Sequence, residues 1–187
     1  MERALEFTEN AFKYFQPTLD PQMMSYLTHW SDASNFRLVY NSQGDGLQRK
    51  DIVKKMAGLQ RYVIVAESTD MFFGGFYSSV FPTAPSFKAD FVTRKNHFGF
   101  ILNKKDMGNP LILRPKELST RLDMSLIIPA LDEYVKESII SKDFFVIMSD
   151  KRFMFLDTIE DAYTLSNNTV LFSHEGFILT VFGFEWI

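Results

Sequence analysis

Histidine is the side chain that most readily exchanges protons or binds metal near neutral pH, and this chain carries three, His29, His97 and His174. They are scattered. His97 lies in an aromatic run and His174 in a polar turn before Glu175-Gly176, and neither has a neighbouring partner in sequence. A packed or solvated role accounts for each more simply than catalysis does. The chain has no cysteine, which excludes disulfides, a thiolate nucleophile, cysteine-based peroxide chemistry, iron–sulfur clusters and cysteine zinc sites. G-x-S-x-G, H-E-x-x-H, Walker A and G-x-G-x-x-G patterns are absent. Asn41-Ser42-Gln43-Gly44-Asp45-Gly46 has the form of the first half of a calcium loop, but Ile52 stands at position 12, where a bidentate Glu is needed. The segment reads instead as a strand-to-helix turn built on Asp45 and Gly46. The expectation is a protein with no catalytic residue, no metal and no cofactor.

Binding chemistry has more to work with. Asn96-His97-Phe98-Gly99-Phe100-Ile101-Leu102-Asn103 partly matches the octamer with which some RNA-binding sheets present aromatic rings to unpaired bases. Position 1 lacks its Lys or Arg and position 8 its aromatic, so a packed strand is the simpler reading. Arg49, Lys50, Lys54, Lys55 and Arg61 cluster around one helix-like stretch, and positions 50 and 54 share a face. That face is either a solvated surface interrupted by Asp51 or a docking surface for an acidic partner. Gly74-Gly75, inside Phe72-Phe73-Gly74-Gly75-Phe76-Tyr77, has no base or helix start beside it to cradle phosphate and reads as a structural pivot.

These residues must be held by a single domain of ordinary size, since the chain has 187 residues. Being 16% aromatic, it is too apolar to be disordered. A net charge of −3 gives no global pull toward nucleic acid or anionic lipid. Met1-Glu2-Arg3-Ala4-Leu5-Glu6 lacks the basic-then-apolar order of a secretory signal, and no apolar run reaches the roughly 18 residues needed to span a bilayer. The expectation is a cytoplasmic or nuclear protein without membrane insertion.

Periodicity supplies the elements. Ala4, Phe7, Ala11 and Tyr14, widened by Leu5, Phe12 and Phe15, form a helical stripe closed by Pro17, and Asp20-Pro21 opens a second helix through Met23, Leu27 and Trp30. Strands are expected at Phe36–Tyr40, Tyr62–Ala66, Phe72–Val80, His97–Leu102, Leu111–Leu113 and Phe177–Trp186, with a hairpin from Phe144–Met148 to Arg152–Leu156. Ile52, Val53 and Met56 mark a helix over 48–57 that Gly58 stops. Leu131, Val135 and Ile139 have helical spacing. The sum is an α+β, mainly β fold, expected to be a two-sheet antiparallel β-sandwich flanked by a few helices. Residues 1–35 form a helical lead-in, packed on or leading to a domain over 36–187.

The order of these motifs resembles the TLDc family. Phe36-Arg37-Leu38-Val39-Tyr40, Asp45-Gly46 opening a helix, Gly58, Tyr62-Val63-Ile64-Val65-Ala66, Phe73-Gly74-Gly75-Phe76, the late hairpin and the closing Phe182-Gly183-Phe184-Glu185-Trp186 follow one another as in that domain. The resemblance covers about residues 36–187. It implies a β-sandwich without established catalytic machinery, linked to protection against oxidative damage and to binding of the vacuolar proton-pumping ATPase. The expected function is accordingly a non-catalytic interaction module for that V-type ATPase. Its candidate surface comprises Asp45, Arg49, Lys50, Lys54, Lys55, Glu185 and Trp186, with Gly46, Gly58, Gly74 and Gly75 as structural pivots. The alternative is a nucleic-acid-binding regulator that uses the Phe98–Phe100 strand and the basic helix face.

Overall fold

The computed structural model describes residues 19–31, 35–78, 80–81, 83, 97–116, 126–127, 136–141, 144–164 and 175–187; the expected helix over residues 4–15 lies outside them. Helix α1 (Pro21–Ser31) starts as its sequence dictates. Asp20 Oδ1 accepts the otherwise orphaned N–H groups of Gln22 at 2.8 Å and Met23 at 3.3 Å. Met23 and Leu27, one turn apart, are fully buried, which stabilises the docked helix by about 1.5–3 kcal/mol for each side chain.

Strand β1 (Phe36–Asn41) leads into a single helical turn, α2 (Ser42–Asp45), and then into α3 (Arg49–Met56). α3 ends at Ala57, whose backbone is already extended, and Gly58 with φ +80° completes a tight turn closed by the Leu59 N–H donating to Met56 O at 3.2 Å. Strands β2 (Tyr62–Ser68), β3 (Met71–Tyr77), β4 (Phe98–Asn103) and β5 (Leu111–Pro115) form an antiparallel meander. β3 stops at Tyr77, short of the expected Val80. Near Phe81 the backbone leaves the ladder, the Phe81 N–H donating to Leu59 O at 2.7 Å and the Gly58 N–H to Phe81 O at 3.2 Å.

Next come β6 (Leu126–Ile127), β7 (Glu137–Ser141), β8 (Phe145–Met148) and β9 (Arg152–Phe155). The β8–β9 hairpin turns at Lys151, which has φ +70°. Ile139 sits in β7, so the helical spacing that ran up to it is not realised there; pairing with β8 overrides it, and Leu131 and Val135 lie outside the described residues. A short helix α4 (Ile159–Ala162) and β10 (Tyr163–Thr164), neither signalled by periodicity, precede the long β11 (Glu175–Trp186).

The fold is α+β and mainly β, with one large antiparallel sheet path, β10-β5-β4-β3-β2-β11-β9-β8-β7-β6, and β1 added beside β11. β11 holds it together: Glu175–Phe177 pair with β9, Ile178–Glu185 with β2, and Phe182–Trp186 with β1. Strand alternation sorts the apolar residues into two cores. Tyr62, Ile64 and Ala66 face an inner core that also holds Phe73, Phe145, Phe153 and Phe155. Val63, Val65, Phe98, Phe100, Phe182 and Phe184 face a second core, which α1 closes with Met23 and Leu27.

Candidate functional site

The expected interaction residues fall in two places: α2 meets the middle of β11, where the Val181 N–H donates to Ser42 Oγ at 2.8 Å, and Glu185-Trp186 lie at the end of β11 beside the Gly58–Arg61 turn. Asn41 caps α2, its side chain accepting the Gln43 N–H at 3.0 Å. Asp45 turns back to accept the Asn41 N–H at 2.9 Å and pairs with Lys55 Nζ at 2.9 Å. Tyr40, fully buried, donates its hydroxyl proton to Gly46 O at 2.7 Å. Burial, helped by the charges of Asp45 and Asp51, pushes that phenol far above its ordinary range and keeps it neutral. The side-chain oxygens of Asn41 and Asp45, positions 1 and 5 of the calcium-like loop, are therefore engaged by the chain itself. Asp45→Ala is expected to cost about 1 kcal/mol by removing the bond to the Asn41 N–H. Lys55→Ala should cost under about 0.5 kcal/mol, because the pair is half exposed. Urea denaturation of the two variants checks the order.

α3 buries one face and offers the other. Arg49, Ile52 and Met56 recur at helical spacing and point inward; Arg49, expected on the exposed surface, is only 8% exposed. The signal for this was present, since position 49 shares the stripe of 52 and 56. Lys50 and Lys54 remain exposed on the opposite side. Beyond Gly58 the chain turns so that the Arg61 guanidinium lies 4.8 Å over the Trp186 ring. Trp186 in turn meets Phe76 edge-on at 4.8 Å, and Glu185 pairs with Arg37. Gly58–Arg61 and Glu185-Trp186 line a hollow of about 450 Å³. The structure thus brings the turn after α3, through Arg61, against the Glu185-Trp186 end of β11, while Asp45, Lys50 and Lys54 are not among the residues that line the hollow. Arg49 drops out of the exposed set, Lys55 is held by Asp45, and Gln60 and Arg61 join the hollow.

The sequence matches no protein-family model, and no curated protein matches it.

The remaining candidates are enclosed. His97 Nδ1 donates to Phe76 O at 2.6 Å, so its Nε2 accepts from the Tyr163 hydroxyl at 3.0 Å. Burial lowers its pKa to about 4, and the ring is neutral at pH 7. Tyr163 is 66 residues away, and nothing in the sequence announces that pairing. Phe98 and Phe100 are 4% and 0% exposed. Trp30 of α1 covers both, with centroids 6.3 and 5.4 Å away, so neither ring offers a face on which a base could stack. Among the described residues no three acidic or histidine side chains converge to hold a metal ion, and no helix is long and apolar enough to cross a membrane. His174 lies outside the described residues.

Proposed function

We propose that the chain is a non-catalytic interaction module of the TLDc type, a two-sheet β-sandwich with helices at its edges, acting in oxidative-stress protection by binding and regulating the vacuolar proton-pumping ATPase from the cytoplasmic side. The observation that carries the reading is the pair of exposed lysines on α3, Lys50 and Lys54, together with the hollow edged by Arg61, Glu185 and Trp186 that follows that helix. Such a surface suits an acidic protein face, with charge setting encounter and orientation and Trp186 and Arg61 serving as anchors. In support of the sandwich, Phe73 of β3 meets the rings of Phe145, Phe153 and Phe155 at 5.2, 4.7 and 5.0 Å, bringing β8 and β9 over the meander. In support of the family, the motifs that carry the resemblance fall on elements that adjoin, with β1 and β2 pairing to either side of the closing Phe182–Glu185 stretch. A binder without chemistry regulates an assembly by preferring one of its states.

Full-length protein immobilised at physiological salt is expected to retain purified vacuolar ATPase. The double variant Lys50→Glu/Lys54→Glu should weaken retention at least about tenfold while leaving Tm within about 2 °C, because both side chains are exposed. Equal retention by the variant sinks the surface assignment. Absence of the pump, under conditions that retain a known TLDc protein, sinks the function.

A further inference from the structure

Arg61 and Trp186 face each other across the start of β2. Tyr62 stands opposite Glu185, and the Trp186 N–H donates to Arg61 O at 3.0 Å, which carries the ladder one residue farther. Directly opposed residues project to the same side of a sheet, and here the guanidinium comes to lie 4.8 Å over the indole. The ring that supports it is anchored. Trp186 is half-buried, meets Phe76 edge-on at 4.8 Å and packs against the core that α1 closes. Stacking occupies the face of a guanidinium, leaves its N–H edge available and removes much of the side chain's rotamer freedom.

That edge has no acceptor from the chain itself. Among the described residues the Arg61 guanidinium enters no ion pair and no hydrogen bond, and the neighbouring carboxylate of Glu185 is taken by Arg37. Lys104 is the informative contrast. It too lies 4.8 Å over a ring, that of Phe72, but it is tied to Glu67 at 2.7 Å. The Trp186 indole N–H and the Gln60 amide are likewise without a hydrogen-bond partner among the described residues. Gln60, Arg61 and Trp186 all line the hollow of about 450 Å³. A guanidinium and an indole can only donate, so the complementary group is an acceptor. Charge narrows it further. Arg61 and Glu185 are the charged residues of the lining, so a phosphate dianion would meet the repulsion of Glu185, whereas a single carboxylate matches one guanidinium fork. A nucleic-acid base would have to displace Arg61 from the indole face over which it lies.

We propose that this hollow is a carboxylate socket, in which Arg61, held on Trp186, grips an Asp or Glu side chain of a protein partner through two parallel N–H···O bonds. The proposal rests on the reading of this surface as an interaction site and names the group it recognises. Titration of the isotopically labelled full chain with acetyl-tetraglutamate amide is expected to shift the Trp186 indole N–H resonance saturably, and acetyl-tetraglutamine amide should leave it in place. Arg61→Lys keeps the charge and loses the fork. It should weaken peptide binding, and retention of the purified vacuolar ATPase, at least about fivefold, with Tm within about 2 °C because the side chain is exposed. A saturable shift with no retention of the pump upholds the socket and removes the pump as its partner. An indole resonance indifferent to the glutamate peptide overturns the socket whether or not the pump is retained, as does peptide binding that Arg61→Lys leaves unchanged. Inorganic phosphate that shifts the resonance at lower concentration than the peptide also overturns it.

Discussion

Gly74→Ala is expected to destabilise the protein by at least about 3 kcal/mol, and the neighbouring strands explain why. A Cβ at position 74 would sit 1.9 Å from the carbonyl oxygen and 2.9 Å from the carbonyl carbon of Ile64, and 3.0 Å from Phe100 Cζ. The first two are backbone atoms of the adjacent strand β2 and cannot swing aside as a side chain would. Relief requires β2 and β3 to separate where Val65 pairs with Gly74, at the junction of both cores. Gly44→Ala is the matched control. Nothing lies within 4 Å of a Cβ there, and alanine favours the α2 turn, so stability should change by under about 1 kcal/mol, in the favourable direction. Urea midpoints for the two variants decide the matter; similar losses would mean that the strands do not approach as closely at Gly74 as described.

Acid is expected to weaken the fold through His97. The group titrates near 6.5 in an unfolded chain and near 4 in the folded one, chiefly because burial disfavours the charged imidazolium, against a smaller opposing effect of the bond to Phe76. Above pH 6.5 both states are neutral and the residue adds no pH dependence. As pH falls from 6.5 toward 4, the unfolded chain binds a proton that the folded chain refuses. Stability therefore drops by about 1.4 kcal/mol per pH unit, about 3 kcal/mol in all, and levels off below pH 4. His97→Gln should remove that component while itself lowering stability at pH 7, since the Tyr163 and Phe76 contacts change. Thermal melts from pH 4 to 8 measure the difference, and an imidazole resonance of His97 titrating near 6.5 in the folded protein would refute the account.

What could be read from the residues followed the range of the interactions responsible. Met23, Leu27 and Trp30 announced α1, Asp20-Pro21 its start, and Phe145–Met148 with Arg152–Phe155 the hairpin, because each signal is local. Periodicity misled where distant partners decide. Ile139 joins a strand because β8 lies beside it, and β3 ends at Tyr77 because Phe81 bonds to the Leu59 turn. At the candidate site, the sequence shows Lys50 and Lys54 as one face, and the burial of Arg49 follows from its spacing to Ile52 and Met56. The aromatic run at Phe98–Phe100 carried two readings, and only the position of Trp30 selects the packed one. The stacking of Arg61 on Trp186 needed the whole sheet to bring its partners together.

The double duty of β11 has a kinetic corollary. Phe36 pairs with Trp186, and Tyr62 with Glu185, so the two earliest described strands wait for one that emerges from the ribosome long after them. Until it arrives, β1 lacks its neighbour and β2 presents a free ladder edge flanked by Val63, Ile64 and Val65, a template for unwanted pairing between nascent chains. Assembly of this sheet consequently waits for β11 and has high contact order, and until then the β2 edge is open to holdase chaperones.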